Sequence, residues 1–472
     1  MKADTLYTKI AGILELQILT QVMKIGDKLP SIRTVGEVYQ VSLNTAKQAY
    51  LELERKGLID ARPKSGYYVS QSLQRKLSYP KVSKPPASLA QREPGDLMTK
   101  VFDTLEKPDI CRFSLGVPDS ALMPVARLNK GLIKATQTLA DSGIGYGPVQ
   151  GHHALRNQVA HWAYVWGGQF TSDDLVTTSG AMNAIQHCLM ATTQPGDTIA
   201  VESPTYFGFL QLAKSFGLRV IELPTHPVTG VEPDALRKVL HKIKACFFIS
   251  NFNNPLGSCM PEEHKREVVQ MLSTHGIPLI EDDLYGDIFF DQKRPLPCKA
   301  FDEEGLVLWC GSVSKSLSAG YRVGWVAPGK YKEKILRQKL LSTMATPTIF
   351  EEVVADFMEN GRYDHNLRNL RSTLHNNSLQ FLQAIEQHFP EGTRVTRPKG
   401  GFMLWLELDQ HINTEDLFDI ALRQKIGITP GRLFTLQNQF NNCLRLSYGL
   451  QWIPRVSDSL ERLGRIIRRM GS

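Results

Sequence analysis

Three clusters, each at the end of an apolar run, carry the side chains that could do chemistry. Residues 305–325, GLVLWCGSVSKSLSAGYRVGW, end such a run with Ser312, Ser314 and Lys315, and Arg322 follows. A lysine in a partly dry recess loses its proton readily and can condense with a carbonyl carbon. Arg322 completes a cationic pair suited to a phosphate dianion. Residues 277–287, IPLIEDDLYGD, end a second run with Glu281, Asp282 and Asp283, and an acid such as Asp282 could hold a pyridinium nitrogen protonated. Residues 247–257, FFISNFNNPLG, end a third with Asn254, Pro255 and Gly257. Each of these side chains alone has an ordinary surface role; it is their co-occurrence in strand-end contexts that points to a site.

Such clusters need a scaffold that gathers strand ends. The runs DTIAVES (197–203), LRVIELP (218–224), KACFFIS (244–250), IPLIEDD (277–283) and GLVLWCGS (305–312) have the pattern of buried strands, and 181–192 and 262–275 that of helices between them. Apolar strands alternating with helices predict an α/β fold from about Cys111 onward, with a parallel or mixed sheet covered on both faces. Ligand sites in open α/β sheets lie beyond the carboxyl ends of the strands, where all three clusters stand.

The constellation resembles the fold type I pyridoxal-phosphate enzymes, in particular the class I aminotransferases, over about residues 111–472. The resemblance implies pyridoxal 5′-phosphate as cofactor, a mixed, mostly parallel sheet and a smaller C-terminal α+β subdomain. It implies Lys315 as the catalytic lysine of an internal aldimine and Asp282 as the acid on the pyridine nitrogen. Tyr285 and Asn254 match the partners of the cofactor's phenolic oxygen, and Tyr206, in ESPTYFG, the aromatic stacked on its ring. TSGA at 178–181 resembles a phosphate-binding turn in which Ser179, Gly180 and Ala181 donate N–H groups, with Ser312 and Arg322 completing the cradle. Tyr146, in YGPVQGHHALR, matches the tyrosine that reaches the partner subunit's phosphate, and Arg445, in CLRLSY, the arginine that clamps a substrate carboxylate. By residue type alone, Tyr206 would serve as a core aromatic, Tyr146 as a loop tyrosine and Arg445 as the partner of a surface acid. The family's threonine in Asn-Pro-Thr-Gly is Leu256 here.

Charge singles out the other end of the chain. The net charge is +8, yet residues 1–84 hold 14 Lys+Arg against 7 Asp+Glu while the remainder holds 41 against 40. A basic module on a near-neutral body is the electrostatic outline of a nucleic-acid-binding domain. Leu6, Tyr7, Ile10, Ile13, Leu14 and Ile18 share one helix face. Ser31 caps a short helix to about Tyr39, and Ser42 caps another that turns Ala46, Ala49, Tyr50 and Leu53 inward and stops at Gly57. Residues 58–62 and 67–69 predict a hairpin around Pro63, Lys64, Ser65 and Gly66.

Three helices and a hairpin make a winged helix-turn-helix. GDKLPSIR at 26–33, VSxNT at 41–45, AYxxLExKGLI at 49–59 and SGYYV at 65–69 resemble the GntR-type DNA-binding domain. Its second motif helix enters the major groove, which turns Leu43, Asn44, Thr45, Lys47 and Gln48 toward base edges. Ser42 and Thr45, with the helix N–H groups, suit phosphate oxygens, and Arg33 a phosphate or a guanine. Lys64 and Gly66 would carry the wing tip into the minor groove. The family usually has arginine where Leu43 stands, so one contact is missing or replaced.

Residues 72–96 are rich in Ser, Pro, Lys and Gln and have the character of an extended tether. The expected organisation is a winged helix-turn-helix at 1–71, a linker at 72–110 and an aminotransferase-like domain at 111–472. The combination resembles the MocR subfamily of GntR-type regulators. That implies a homodimeric transcriptional regulator that binds double-stranded operator DNA and senses a small amine or amino acid by aldimine exchange at Lys315. The alternative is an active pyridoxal-phosphate-dependent aminotransferase of amino acids with an accessory DNA-binding module, since it would use the same groups. Hydrophobic content of 42% with 22% charged residues excludes a largely disordered chain. The seven cysteines include no C-x-x-C pair, so neither a metal site nor a disulfide framework is expected. No run approaches ~18 consecutive apolar residues and the N-terminus lacks a signal-peptide cleavage pattern. No membrane partner is therefore expected, and the location is the cytoplasm, with nucleoid association when DNA is bound.

Overall fold

The computed structural model describes residues 5–20, 22–62, 65–70, 77–85, 97–104 and 107–471. The chain divides into two units, Met1–Ser78 with Leu379–Phe389, and Tyr79–Ser378 with Pro390–Ser472.

In the first unit, α1 (Leu6–Leu19), α2 (Ile32–Val38) and α3 (Leu43–Arg55) precede the hairpin of β1 (Ile59–Arg62) and β2 (Gly66–Val69). Ser31 and Ser42 accept the backbone N–H groups of Thr34 and Thr45 at 3.0 and 3.1 Å. Each such cap contributes about 1 kcal/mol. Gly57, at φ +69°, ends α3; its N–H donates to the Glu54 carbonyl at 2.8 Å and that of Leu58 to Leu53 at 3.0 Å. Only the left-handed conformation at Gly57 lets both bonds form. Ile10, Leu14, Val35, Ala46, Tyr50, Leu53 and Val69 fill the core. The Tyr50 hydroxyl donates to the Pro30 carbonyl at 2.6 Å and its ring meets Tyr67 edge-on at 4.9 Å, which fixes the wing against α3. Pro63 and Lys64, at the expected wing tip, lie outside the described residues.

The second unit opens with β3 (Cys111–Arg112) and is built on a sheet of β4 (Val176–Thr178), β5 (Thr198–Ser203), β6 (Arg219–His226), β7 (Gly230–Val231), β8 (Ala245–Phe248), β9 (Leu279–Asp282), β10 (Val307–Ser312) and β11 (Gly324–Ala327). Its order is β4-β11-β10-β9-β8-β5-β6-β7. The run β10-β9-β8-β5-β6 is parallel, while β11 lies antiparallel to both neighbours and β7 antiparallel to β6. β8, β9 and β10 are buried at every position, as strands covered on both faces must be. Separate apolar cores lie around Trp166, Trp309 and Trp325, and around Phe248, Val268 and Leu279.

A smaller antiparallel sheet orders β12 (Arg394–Val395), β13 (Met403–Glu407), β16 (Cys443–Ser447) and β15 (Thr429–Pro430), and β14 (Ile426–Gly427) pairs with β3. Helices Thr414–Arg423 and Pro454–Met470 accompany it, giving the C-terminal α+β subdomain. Part of the expected linker is fixed to this unit. The Lys81 N–H donates to the Glu407 carboxylate at 2.7 Å, and the Thr225 N–H to the Ser83 hydroxyl at 2.9 Å. Residues 72–76, 86–96, 105 and 106 of that linker lie outside the described residues. No described helix is long and apolar enough to cross a membrane.

Candidate functional site

β8, β9 and β10 are neighbours, so the three chemistry-bearing termini converge. At the end of β10 the Ser312 hydroxyl donates to the Val323 carbonyl at 2.8 Å and accepts the Ser314 N–H at 3.0 Å. It thereby caps the turn Val313–Lys315 that presents the lysine. The half-buried Lys315 ammonium donates to the Gly116 carbonyl at 2.6 Å. Burial pulls this amine down to about 8, against the opposite pull of Asp282.

Asp282 ends β9 at 3% exposure and accepts the Leu284 N–H at 3.2 Å. Burial raises its carboxyl to about 7, with the Leu284 N–H and Lys315 holding it back. Strand alternation separates it from its acidic neighbours. Glu281 accepts the Ser250 hydroxyl and the N–H groups of Cys298 at 2.6 Å and Lys299 at 2.9 Å. Asp283 accepts Trp309 and Asn251 at 2.8 Å each and forms an ion pair with Arg294 at 2.5 Å, while Arg294 also binds Asp287 at 2.7 Å. Those two acids are satisfied structural groups; Asp282 faces the lysine.

Asn254 links two further members. Its amide donates to the Tyr285 hydroxyl at 3.4 Å and its carbonyl accepts from Arg445 at 2.9 Å. Arg445 also donates to the Ser114 carbonyl at 2.6 Å and the Thr429 hydroxyl at 3.2 Å, its Nε has no partner, and Phe434 lies 5.3 Å beneath its guanidinium. Burial lowers this guanidinium to about 10. A buried cation held by carbonyl, amide and hydroxyl oxygens keeps its full charge, so a ligand carboxylate is its natural complement. Burial raises the Tyr285 phenol, with Asp282 adding to the effect.

β4 ends at Thr178 and runs into a glycine turn. Gly180 (φ +86°) and Arg322 (φ +55°) are both left-handed, and Arg322 donates to the carbonyls of Ser179 at 3.0 Å and Ala319 at 3.2 Å. A Cβ on Gly180 would lie 2.2 Å from the Arg322 guanidinium, and one on Gly324 would lie 2.6 Å from Gly180. Two glycines therefore hold the arginine against the turn. The Ser179 and Gly180 N–H groups donate to Asn183 at 3.1 Å and Thr178 at 2.7 Å, while Ala181 opens helix Ala181–Thr192, whose first N–H groups have no intrahelical partner. Tyr206 precedes helix Phe207–Ser215, and a Cβ on Gly208 would lie 2.6 Å from its ring. Burial raises the Tyr206 phenol, and Arg445, Asp282 and Arg322 are its charged neighbours. Tyr146 is 87% exposed, unlike the buried members of this cluster.

Lysine, acid and arginine thus fit the pyridoxal phosphate that the resemblance implies, with a glycine turn packed against Arg322, although the expected Ser179 and Gly180 N–H donors are engaged within that turn. Ser114 and Gly116 join the site through backbone carbonyls, which give no side-chain signal in the sequence. A buried chain of bonds also runs away from it. The Ser203 N–H donates to the Thr225 hydroxyl at 2.9 Å, the Ser203 hydroxyl to Glu222 at 2.6 Å, and Glu222 accepts Thr435 at 2.7 Å and the Leu436 N–H at 2.6 Å. No group of His, Cys, Asp and Glu fit for a metal occurs among the described residues.

In the first unit the candidate nucleic-acid contacts face solvent. Ser42, Asn44, Lys47 and Gly66 are exposed, Thr45 is half-buried, and the Arg33 side chain is 85% exposed, 3.6 Å from Glu37. Lys64 lies outside the described residues.

Residues 109–451 match the family model of aminotransferase class I and II, and residues 6–69 that of the gntR family of bacterial regulatory proteins. YjiR of Escherichia coli K12, described as an uncharacterized HTH-type transcriptional regulator, is 35% identical over 98% of this chain and 99% of its own length. A 2-aminoadipate transaminase of Thermus thermophilus is 28% identical over 80% of this chain and 95% of its own. The crystal structure of LysN, the α-aminoadipate aminotransferase of that organism, complexed with N-(5′-phosphopyridoxyl)-L-leucine, superposes with a TM-score of 0.74 at 26% identity, covering 80% of this chain and 96% of its own.

Proposed function

Because the chain belongs to the aminotransferase class I and II family and joins it to a gntR-family domain, we propose that it is a DNA-binding transcriptional regulator that senses an amine or amino acid. This is the MocR arrangement of GntR-type regulators, and its cofactor is pyridoxal 5′-phosphate. When bound, that group supplies a carbonyl carbon that condenses reversibly with primary amines and a pyridine ring that draws electrons from it.

The single observation that carries the reading is the convergence of Lys315, at the end of β10, and the buried Asp282, at the end of the neighbouring β9, with the buried Arg445 in the same unit, in a chain that also carries a gntR-family domain. Lys315 would hold the group through its amine. Asp282 would keep the ring nitrogen protonated, and Asn254 with Tyr285 would meet the phenolic oxygen. Ala181 at the helix start and Arg322 would hold the phosphate, Ser179, Gly180 and Ser312 could join them only by giving up their present hydrogen bonds, and Tyr206 would cover the ring. Tyr146, exposed on its own chain, reaches the phosphate of a second copy in a homodimer. Arg445 would take the carboxylate of an amino acid, so that ligand binding neutralises a buried cation beside Lys315. That difference in interaction between two states is what biases a conformational equilibrium. The readers of the dimer, with Arg33, Ser42, Asn44, Thr45, Lys47, Lys64 and Gly66, then meet operator half-sites at a changed spacing. The protein works in the cytoplasm, on the nucleoid when DNA-bound.

Adding pyridoxal 5′-phosphate to the full-length protein tests this by visible absorbance, followed by mobility shifts on duplex from its own upstream region with a panel of amines. Binding that is sequence-selective and altered by one amine supports the reading; indifference to every amine overturns it. Working transamination is the second reading, favoured by the full set of lysine, acid and arginine groups. Rapid conversion of the bound cofactor to its amine form by ordinary amino acids would establish it.

A further inference from the structure

The first residue of α3 is a leucine in the open. Leu43 is 60% exposed, although it stands where a recognition helix meets base edges and where charge or hydrogen bonding would be expected. Its side chain is nevertheless seated. One of its methyl groups lies 3.5 Å from where a Cβ on Gly36 would be, and that same Cβ would lie 3.3 Å from the Val41 carbonyl. Gly36 is buried, so one methyl of the leucine lies toward α2 while most of the side chain stays in solvent. It has no place in the core beneath, which Val35, Ala46 and Ala49 already fill. Around it Arg33, Asn44 and Lys47 are exposed polar groups, and the first turn of α3 contains no acid.

We propose that Leu43 reads the C5-methyl group of a thymine in the major groove, a role that rests on the DNA-binding reading above. A leucine neither donates nor accepts a hydrogen bond. Among the groups a base pair presents in the major groove, the thymine methyl alone is apolar. Ser42 and Thr45, joined at 2.9 Å through their hydroxyls, hold the helix start, and Asn44 and Lys47 remain for hydrogen bonds and phosphates. An arginine here would select guanine; the leucine changes the preferred base while leaving the docking unchanged.

The experiment uses the full-length protein and a random-sequence duplex pool at fixed salt, followed by substitution in the enriched duplex. Each thymine is replaced in turn by deoxyuridine, which removes only the methyl, and separately by 5-methylcytosine paired with guanine, which keeps the methyl and alters the hydrogen-bonding edge. The expected result is one thymine per half-site where deoxyuridine weakens binding about fourfold, the value of one buried methyl group. At that position 5-methylcytosine retains more affinity than unmodified cytosine. Leu43→Ala binds the thymine and deoxyuridine duplexes equally, and Leu43→Arg shifts the preference to guanine. Equal binding of the wild type to every deoxyuridine duplex overturns the proposal, as does undiminished discrimination by Leu43→Ala. A pool with no enriched sequence overturns the DNA-binding reading itself, a result distinct from loss of the methyl effect.

Discussion

The side chains proposed for DNA and those proposed for the cofactor stand in opposite environments. Arg33, Asn44 and Lys47 stand in solvent on helices whose core is complete without them. Asp282, Asn254, Tyr285 and Arg445 are nearly inaccessible, at 3%, 4%, 2% and 2% exposure. Solvent screens the first set, so each contact adds a modest and nearly independent amount. Burial couples the second, since removing one member leaves others desolvated and unpaired. Reader substitutions should therefore grade binding, while body substitutions should switch it.

The largest effect sharpens that contrast. Lys315→Ala should abolish the visible absorbance of lysine-bound cofactor entirely while DNA retention by the reader persists, checked by absorbance and mobility shift on one preparation. Asp282→Asn keeps the shape but loses the charge, and should weaken pyridoxal phosphate binding on the order of 100-fold by equilibrium titration. Arg445→Lys should cost carboxylate-bearing ligands on the order of 30-fold and leave simple amines unaffected, because a lysine cannot reproduce the planar fork. Proton linkage gives the next effect. Burial lowers Lys315 to about 8, so its reactive neutral form falls about tenfold for each pH unit below that value. The rate of cofactor uptake should rise with pH to about 8 and then level, measured by stopped-flow absorbance. Lys47→Ala should be the mildest, weakening all duplexes about fivefold and reducing the salt-dependence slope by about 1. If Lys47→Ala proved as costly as Asp282→Asn, the contrast between the two regions would fail.

Much of the fold is legible in residue pattern because burial imposes it. The apolar runs at 197–203, 277–283 and 305–312 occur as Thr198–Ser203, Leu279–Asp282 and Val307–Ser312, and the helix expected at 181–192 as Ala181–Thr192. Ser31, Ser42 and Gly57 mark helix ends because capping is a local event. Period-two alternation along the strand is itself a sequence signal that sets Asp282 apart from Glu281 and Asp283. What sequence left dark depends on backbone placement. The carbonyls of Ser114 and Gly116 receive Arg445 and Lys315 across more than a hundred residues of chain, with nothing in the side chains to announce it. The left-handed conformation of Arg322 is equally silent, since tertiary contact with Gly180 holds it there. Ser312, matched by resemblance to a phosphate contact, has its hydroxyl engaged in capping the lysine turn.

Ser83 anchors the tether to the sheet at a buried point. From there Thr225, Ser203 and Glu222 continue to Thr435 and Leu436, beside the Phe434 ring under Arg445. Hydrogen bonds in a dry interior do not slacken gradually, because a lost one leaves its groups unsatisfied. Residues 431–436 and Ser83 are thus tied into one buried line within this unit.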